Sequence, residues 1–342
     1  MNNNTTHENL TIGCYNTRGL VSALPFIRLH LAEVDILAIA EHWLYEDALT
    51  ALDHALDTHR GWGRADRRLK DKENRAWRRG QGGVALVWKT SIDYAVHKLE
   101  DGNDRLMGIR IRLRNGQKSF VFAVYLPHAN SPMEEYRDQL DVMVEVYRKY
   151  ENEGSVLFVG DFNAELGQEG GQRGRGQPSR FGSELLSTME ELGLISLNLN
   201  IICEGPIGTC LTYSSKQYCE TTIDHIIMAP SLLPEIKSCK VMDEQSANIS
   251  DHNPIVVSLL IKPVVWEEGE IHLRPDWKRM SDQETQKTYQ MRLKERLEQS
   301  STQLERSPDN IEKELAMITA ALRDTAQEVI PARKPKKHQK PY

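Results

Sequence analysis

The sequence predicts an α/β protein, a sheet sandwich flanked by helices with a separate helical segment after it. Three observations carry that expectation. Up to about residue 261, short apolar runs rich in β-branched residues recur between Gly, Pro, Asn and Asp, as strands do. Only a few amphipathic stretches interrupt them, enough to cover sheets but not to form a bundle. After Lys262 the aromatic and β-branched content drops and helical periodicity takes over. A length of 342 residues suits one domain of about 250 residues plus a remainder.

Taken in order, residues 1–9 are polar and read as a disordered N-terminus. Strands are expected at 10–15, 36–40, 83–88, 106–113, 119–125, 156–159, 222–228 and 254–261. Helices are expected at 24–32, 47–57, 133–150 (entered through Ser131-Pro132) and 182–192. Together they define a domain over 10–262, followed by a helical linker over 263–330 and a basic tail over 331–342. In the linker, Ser307-Pro308 reads as a helix start, and Ile311, Leu315, Ile318, Leu322 and Val329 share a face that wants a partner.

Several classes are set aside early. The first ten residues hold no apolar stretch of signal-peptide type, and no run reaches the ~18 apolar residues of a membrane span. No membrane partner is therefore expected. The five cysteines (Cys14, Cys203, Cys210, Cys219 and Cys239) show no C-x-x-C spacing and read as reduced thiols filling small apolar sites, so an intracellular protein is expected. A net charge of -6 gives no bulk sign of a nucleic-acid partner. That total conceals its distribution: residues 1–262 carry 28 basic and 35 acidic side chains, and several of those acids belong to the candidate site.

The polar residues that end the strands are more informative. Expected strands deliver Asn16, Glu41, Tyr125 and Asp161 with Asn163 at their C-terminal ends, while Asp224 and the run Asp251-His252-Asn253 precede two others. In a mixed sheet the exit of one strand and the entry of its neighbour share an edge, so all six groups can meet on one rim. Glu41, Asp161, Asp251, Asn16 and Asn163 are hard oxygen donors suited to Mg²⁺. A histidine beside aspartates supplies a fixed donor or an acid/base group. No cysteine or second histidine stands beside these carboxylates at zinc spacing, and neither a G-x-S-x-G elbow nor a P-loop occurs. Metal-assisted hydrolysis of a phosphate ester is the chemistry that this set suits.

The strings Tyr15-Asn16-Thr17-Arg18-Gly19-Leu20, Ala38-Ile39-Ala40-Glu41-His42, Val124-Tyr125-Leu126-Pro127, Val159-Gly160-Asp161-Phe162-Asn163-Ala164, Ile223-Asp224-His225-Ile226 and Ser250-Asp251-His252-Asn253-Pro254-Ile255 stand in the order and spacing of the endonuclease/exonuclease/phosphatase superfamily. The chain resembles that superfamily over residues ~10–262. Within it, the resemblance is to the apurinic-type endonuclease domain of non-LTR retrotransposons. It implies a four-layer α/β/β/α sandwich of the DNase I type and a divalent metal, Mg²⁺ with Mn²⁺ as the alternative. It also implies a single-strand DNA nick leaving a 3′-hydroxyl. By position, Glu41 helped by Asn16 would hold the metal, Asp251 would support the metal or the histidine, and Asp161 would take a proton from the attacking water with Asn163 beside it. His252, oriented by Asp224, would contact the phosphate, as would Tyr125. Arg18 stands where the family's repair enzymes usually carry an aspartate, and His128 where they carry an asparagine. Both read as phosphate contacts that disfavour abasic-site repair.

Residues 64–79 hold eight basic side chains against three acidic ones, and Arg67, Arg68, Trp77, Arg78 and Arg79 among them suit backbone contact and base stacking. The stretch 167–182, with six glycines and Arg173, Arg175 and Arg180, reads as a flexible loop. DNA is the expected partner and the nucleus the expected location. The resemblance further implies a C-terminal reverse transcriptase in a longer polyprotein. Another phosphoester substrate (a lipid, an inositol phosphate or RNA) and an inactive mobile-element remnant are the alternatives.

Overall fold

A computed structural model describes residues 9–66, 80–214, 217–243, 245–264 and 277–301, with 318–319, 321–322, 324–326 and 328–330 near the C-terminus. The chain divides into two compact units, Met1–Trp266 and Glu267–Tyr342.

In the first unit the strands run β1 Leu10–Asn16, β2 Ile36–Ala40, β3 His59–Arg64, β4 Val84–Lys89, β5 Val96–Gly102, β6 Leu106–Arg112, β7 Lys118–Tyr125 and β8 Ser155–Asp161. They continue as β9 Ile195–Ser196, β10 Cys203–Glu204, β11 Cys210–Ser214, β12 Gln217–Thr221, β13 Asp224–Met228, β14 Ile236–Val241 and β15 Ile255–Leu259. Helices α1 (Leu20–His30), α2 (Met133–Tyr150) and α3 (Arg180–Leu192) complete it. One sheet has the order β10-β14-β15-β1-β2-β4-β3, the other β5-β6-β7-β8-β13-β9, and β11 and β12 form a separate hairpin.

Strand alternation explains the layers. Ile12, Cys14, Ile36, Ala38, Leu86, Val257 and Leu259 face inward from the first sheet to meet Met107, Ile109, Val121, Ala123, Leu157, Val159 and Ile226 from the second. On the outer face of the first sheet, Leu37, Ile39 and Val87 pack under Ala23, Phe26 and Ile27 of α1. On the outer face of the second, Phe120, Phe122 and Phe158 pack under Tyr136, Met143 and Tyr147 of α2 and Leu185 and Met189 of α3. The result is the α/β/β/α sandwich that the sequence implies.

Some boundaries differ. The helix expected at 47–57 is a 3-10 segment, Glu46–His54, whose Leu52 is pressed so closely on β3 that a Cβ at Gly61 would fall 2.6 Å from the Leu52 backbone. Helix α1 begins at Leu20, before Pro25, whereas the sequence reading starts it at 24. The glycine-rich stretch is tied down: Arg173 donates to the carbonyls of Asn198, Gly205 and Pro206, and Arg180 to those of Ala129 and Ser131. Arg173 and Arg180 satisfy backbone oxygens, so the expected flexible loop is replaced by an anchored one.

The second unit contains α4, Gln283–Ser301. Its Tyr289 is buried with Ala326 and Ile330. Of the expected apolar face, Val329 packs against this cluster, Ile318 and Leu322 are exposed, and Ala321 and Ala326 are buried instead. Ser307-Pro308, Ile311, Leu315 and the basic tail lie outside the described residues. Among the described residues, no helix is long and apolar enough to cross a membrane.

Candidate active site

Strand register brings the polar ends together. Asn16 at the end of β1 lies opposite Ala40 at the end of β2, which Glu41 follows. Tyr125 at the end of β7 lies opposite Asp161 at the end of β8, and Asp161 lies opposite Asp224 at the start of antiparallel β13. Strand β15 pairs with β1 through Ile255 and Cys14, which places the preceding Asp251-His252 on the same rim.

Backbone conformation changes character at this rim. Among the described residues, the non-glycines with positive φ are Arg18 (44°), Glu41 (52°), Trp43 (55°) and Asn163 (51°), all in the loops that leave β1, β2 and β8. Such conformations cost free energy and persist where surrounding contacts impose them. Gly19 is one such constraint: at φ 110° it lies against the Trp43 ring, which an added Cβ would meet at 2.8 Å. The Trp43 indole N–H in turn donates to Glu41 Oε2 at 3.0 Å.

Asn16 links the two carboxylates, since its Nδ2 donates to Glu41 Oε1 and to Asp161 Oδ2, each at 2.9 Å. Its Oδ1 accepts from the backbone N–H of Arg18 at 3.1 Å. Asp161 Oδ1 accepts from the Asn163 N–H at 2.9 Å, and Asn163 Nδ2 donates to the Leu126 carbonyl. Asp161, Asp224 and His252 are all buried, with ligand-capable atoms within 4.8 Å of one another. His252 Nδ1 donates to Asp224 Oδ2 at 2.8 Å, with Nε2 3.8 Å from Asp251 Oδ1 and the ring also hydrogen-bonded to Cys210.

Electrostatics follow from this burial. Burial, followed by the charge of Asp224, pushes the Asp161 carboxyl up to about 7. Burial opposes the charged form of His252, but Asp224, through its charge and hydrogen bond, and the nearby Cys210 and Asp161 outweigh it and raise its pKa well above the ordinary value. Burial, then the charges of Glu41 and Asp161, raises the Tyr125 hydroxyl, which also hydrogen-bonds to Glu41. Tyr125 therefore stays a neutral donor. The neighbouring histidines are of a different kind. His42 is buried, accepts from the Leu44 N–H and bonds the Arg64 carbonyl; burial brings its pKa down to about 4. His225 is held between Ser196 and the Ala164 carbonyl and is likewise depressed by burial.

The remaining candidates are placed as follows. Half-exposed Arg18 pairs with Asp251, NH1 to Oδ2, at 2.5 Å. Asp251 Oδ1 is buried and has no hydrogen-bond partner; His252 Nε2 lies 3.8 Å away. His128 is exposed in the turn after β7 and accepts from the Asn130 N–H. Arg67, Arg68, Trp77, Arg78 and Arg79 lie outside the described residues. Arg64, at the start of that basic stretch, spends its guanidinium on the carbonyls of Asn103 and Glu100.

Three supporting residues escape a reading of strand ends. Trp43 orients Glu41. Ser250 donates to the Asn16 carbonyl at 2.7 Å, and Asn248 donates to that of His252 at 2.7 Å, so that the loop before β15 is pinned to β1. The Asn-x-Ser-Asp-His string could have flagged both as turn-forming residues. The fold also overrides the expectation that no cysteine neighbours these carboxylates. A bridge between Cys210 and His252 brings the thiol to the histidine, a tertiary contact that sequence spacing does not show.

A hard divalent cation fits this chemistry. Glu41, Asp161 and Asp251 supply carboxylate oxygens at the rim, and the orphaned Asp251 Oδ1 is a buried anionic atom of the kind that a cation would satisfy.

The fold and the rim together define a phosphoester hydrolase of the sandwich type. Residues 13–252 match the endonuclease/exonuclease/phosphatase family, and the chain belongs to that family. No curated protein matches the sequence. Among solved structures, the chain is similar to the endonuclease domain of TRAS1, a telomere-specific non-LTR retrotransposon (20% identity, 73% of this chain and 98% of that one, TM-score 0.52). It is similar to the 3′ phosphatase NExo from Neisseria bound to a product DNA hairpin (21%, 73% and 99%, TM-score 0.53). A third is the AP endonuclease LMAP from Leishmania major (14%, 74% and 88%, TM-score 0.57). At these identities the likeness establishes the fold.

Proposed function

We propose that this chain is a divalent-metal-dependent endonuclease that nicks one DNA strand and leaves a 3′-hydroxyl. The observation that carries the reading is the buried Asp161, Asp224 and His252 cluster, joined through Asn16 to Glu41. Each group has a distinct task. Asp161, with a pKa near neutrality, accepts a proton from water, and the Asn163 N–H and Asn16 Nδ2 fix its two oxygens. His252, kept cationic by Asp224, presents Nε2–H to a phosphate oxygen as negative charge grows there. Tyr125 donates a second hydrogen bond. Glu41, Asn16 and Asp251 would hold Mg²⁺, or Mn²⁺ in its place, which when bound supplies Lewis-acid stabilisation of phosphoryl charge. Arg18 and His128 would contact flanking phosphates.

DNA is preferred over lipid or inositol phosphates because of the seven basic residues that follow Arg64 up to residue 79, with Arg67, Arg68, Trp77, Arg78 and Arg79 as contacts. The fold neighbours include a retrotransposon endonuclease domain and a 3′ phosphatase bound to a product DNA hairpin. A reverse transcriptase in a longer polyprotein and a nuclear location extend the same proposal.

Supercoiled plasmid incubated with the protein and Mg²⁺ tests it. Conversion to open circles whose ends prime a DNA polymerase is expected, with loss on chelation and a fall of about 10³-fold or more in His252→Ala. Intact plasmid alongside phosphate release from inositol phosphates would assign the site to a different substrate.

A further inference from the structure

We infer that Cys210, Asp251 and His252 form a second metal site, selective for a thiophilic cation such as Zn²⁺ and overlapping the hydrolytic centre. The three residues offer Sγ, a carboxylate oxygen and an imidazole nitrogen within 4.8 Å of one another. Zinc bond lengths of about 2.0–2.3 Å in a tetrahedron place ligand atoms roughly 3.3–3.8 Å apart, so small adjustments bring this set onto one ion. The 3.8 Å between Asp251 Oδ1 and His252 Nε2 already lies in that range.

Two independent features point to a ligand. Asp251 Oδ1 is a buried carboxylate oxygen without a hydrogen-bond partner, while Oδ2 is held by Arg18. His252 Nδ1 donates to the buried Asp224, the arrangement by which metal-binding histidines are fixed in the tautomer that exposes Nε2. The backbone makes the cluster rigid. The Leu211 N–H donates to the Asp251 carbonyl and the Asn253 N–H to the Thr209 carbonyl, both at 2.7 Å, on either side of the Cys210–His252 bridge.

Asp251 is shared with the oxygen set that would hold Mg²⁺, and the sulfur ligand is what sets this site apart: hard cations prefer oxygen ligands, and Zn²⁺ gains from thiolate. Binding would release two protons to solvent, one from the Cys210 thiol and one from His252 Nε2, leaving three protein ligands and one open position. Zinc on Nε2 withdraws that nitrogen from the phosphate. Occupancy therefore blocks hydrolysis, a consequence that rests on the function proposed above, whereas binding itself does not.

X-ray absorption of the full chain loaded with one equivalent of Zn²⁺ reads the ligands directly. One sulfur at about 2.3 Å with nitrogen or oxygen neighbours is expected, lost in Cys210→Ser and retained in Cys219→Ser. Two sulfurs would place the ion on Cys203 and Cys239, whose Sγ atoms lie 3.1 Å apart, and would overturn the inference. So would a shell without sulfur, or no binding near equimolar protein. Should Cys210→Ser not fold, Asp251→Asn serves as the second variant; it keeps the sulfur and is expected to weaken zinc about tenfold or more, and unchanged affinity would remove Asp251 from the site. Excess Zn²⁺ should also stop Mg²⁺-supported nicking in the wild type while Cys210→Ser keeps its own zinc-free rate; equal inhibition of both would contradict the overlap. If no nicking occurs at all, the function proposed above fails and the sulfur shell still decides the zinc site.

Discussion

The interior of the sandwich and its polar rim are made from the same strands by opposite rules. Between the sheets, Ile12, Ile36, Leu86, Val121, Leu157 and Val257 are fully or almost fully buried apolar side chains on regular strands. A few residues further along β1, β2 and β8, the backbone turns to positive φ at Arg18, Glu41, Trp43 and Asn163, and the ionisable side chains of Asp161, Asp224 and His252 are buried. The interior supplies stability that the rim consumes: burial of a Leu or Val contributes about 1.5–3 kcal/mol, while each strained residue costs about 1–3 kcal/mol. The difference teaches that the rim is held in place by the sheets beneath it, and its costly features are where chemistry is to be sought.

The sharpest way to break this contrast is Asp224→Asn. It keeps the side chain's shape but removes the charge that holds His252 protonated, and a fall in nicking of about 10²–10⁴-fold is expected. An NMR titration should show the His252 pKa dropping with it; an unchanged pKa would mean that Asp224 is only a packing partner. A smaller effect is expected from Trp43→Phe. The ring that fills the space beside Gly19 is largely kept while the hydrogen bond to Glu41 is lost, so affinity for Mg²⁺ should fall by about 10–100-fold in calorimetry, as for other residues that orient a metal ligand.

The third expectation concerns pH and the metal-free protein. The Asp161 carboxyl is raised to about 7 from an ordinary 3.8, so between these values the folded state holds a proton that the unfolded chain has released. Stability then falls as pH rises through this window, by on the order of a few kcal/mol. His252 acts in the same direction, because its pKa is raised on folding: its contribution is complete below about 6.5 and is lost as pH rises through the folded value. Thermal melts in chelator should therefore show a lower Tm at pH 7.5 than at pH 5. The drop should be several degrees larger in the wild type than in Asp161→Asn, and parallel curves would show that Asp161 is not held against its charge.

Legibility in the sequence follows the same division. Of the inner strands, β14 is missed because exposed Lys237, Ser238 and Lys240 break its run, while β1, β2, β4, β6, β7, β8, β13 and β15 are evident as apolar runs because both faces are covered, and α2 is found to the residue, Met133–Tyr150. The edge strands β3, β5, β9 and β10 are not. They have a sheet neighbour on one side only, and they are interrupted by Gly61 and Gly63, charged as at Lys98, Glu100 and Asp101, or only two residues long. At the rim, the strand-end residues Asn16, Glu41, Tyr125, Asp161, Asp224 and His252 are legible because each closes or opens an apolar run. Trp43, Ser250 and Cys210 are not legible in that way. Their relation to the site depends on loop conformation or on a bridge between segments distant in sequence, and neither leaves a periodic trace.

The most direct test of the central claim, that the costly rim is the hydrolytic centre, is to measure nicking rate and metal-free Tm on the same preparations of wild type and Asp161→Asn. A fall in rate of about 10³-fold or more, with a Tm at pH 8 equal to or above that of the wild type, is the predicted result. Retained nicking, or a loss of activity accompanied by a lower Tm, would contradict it.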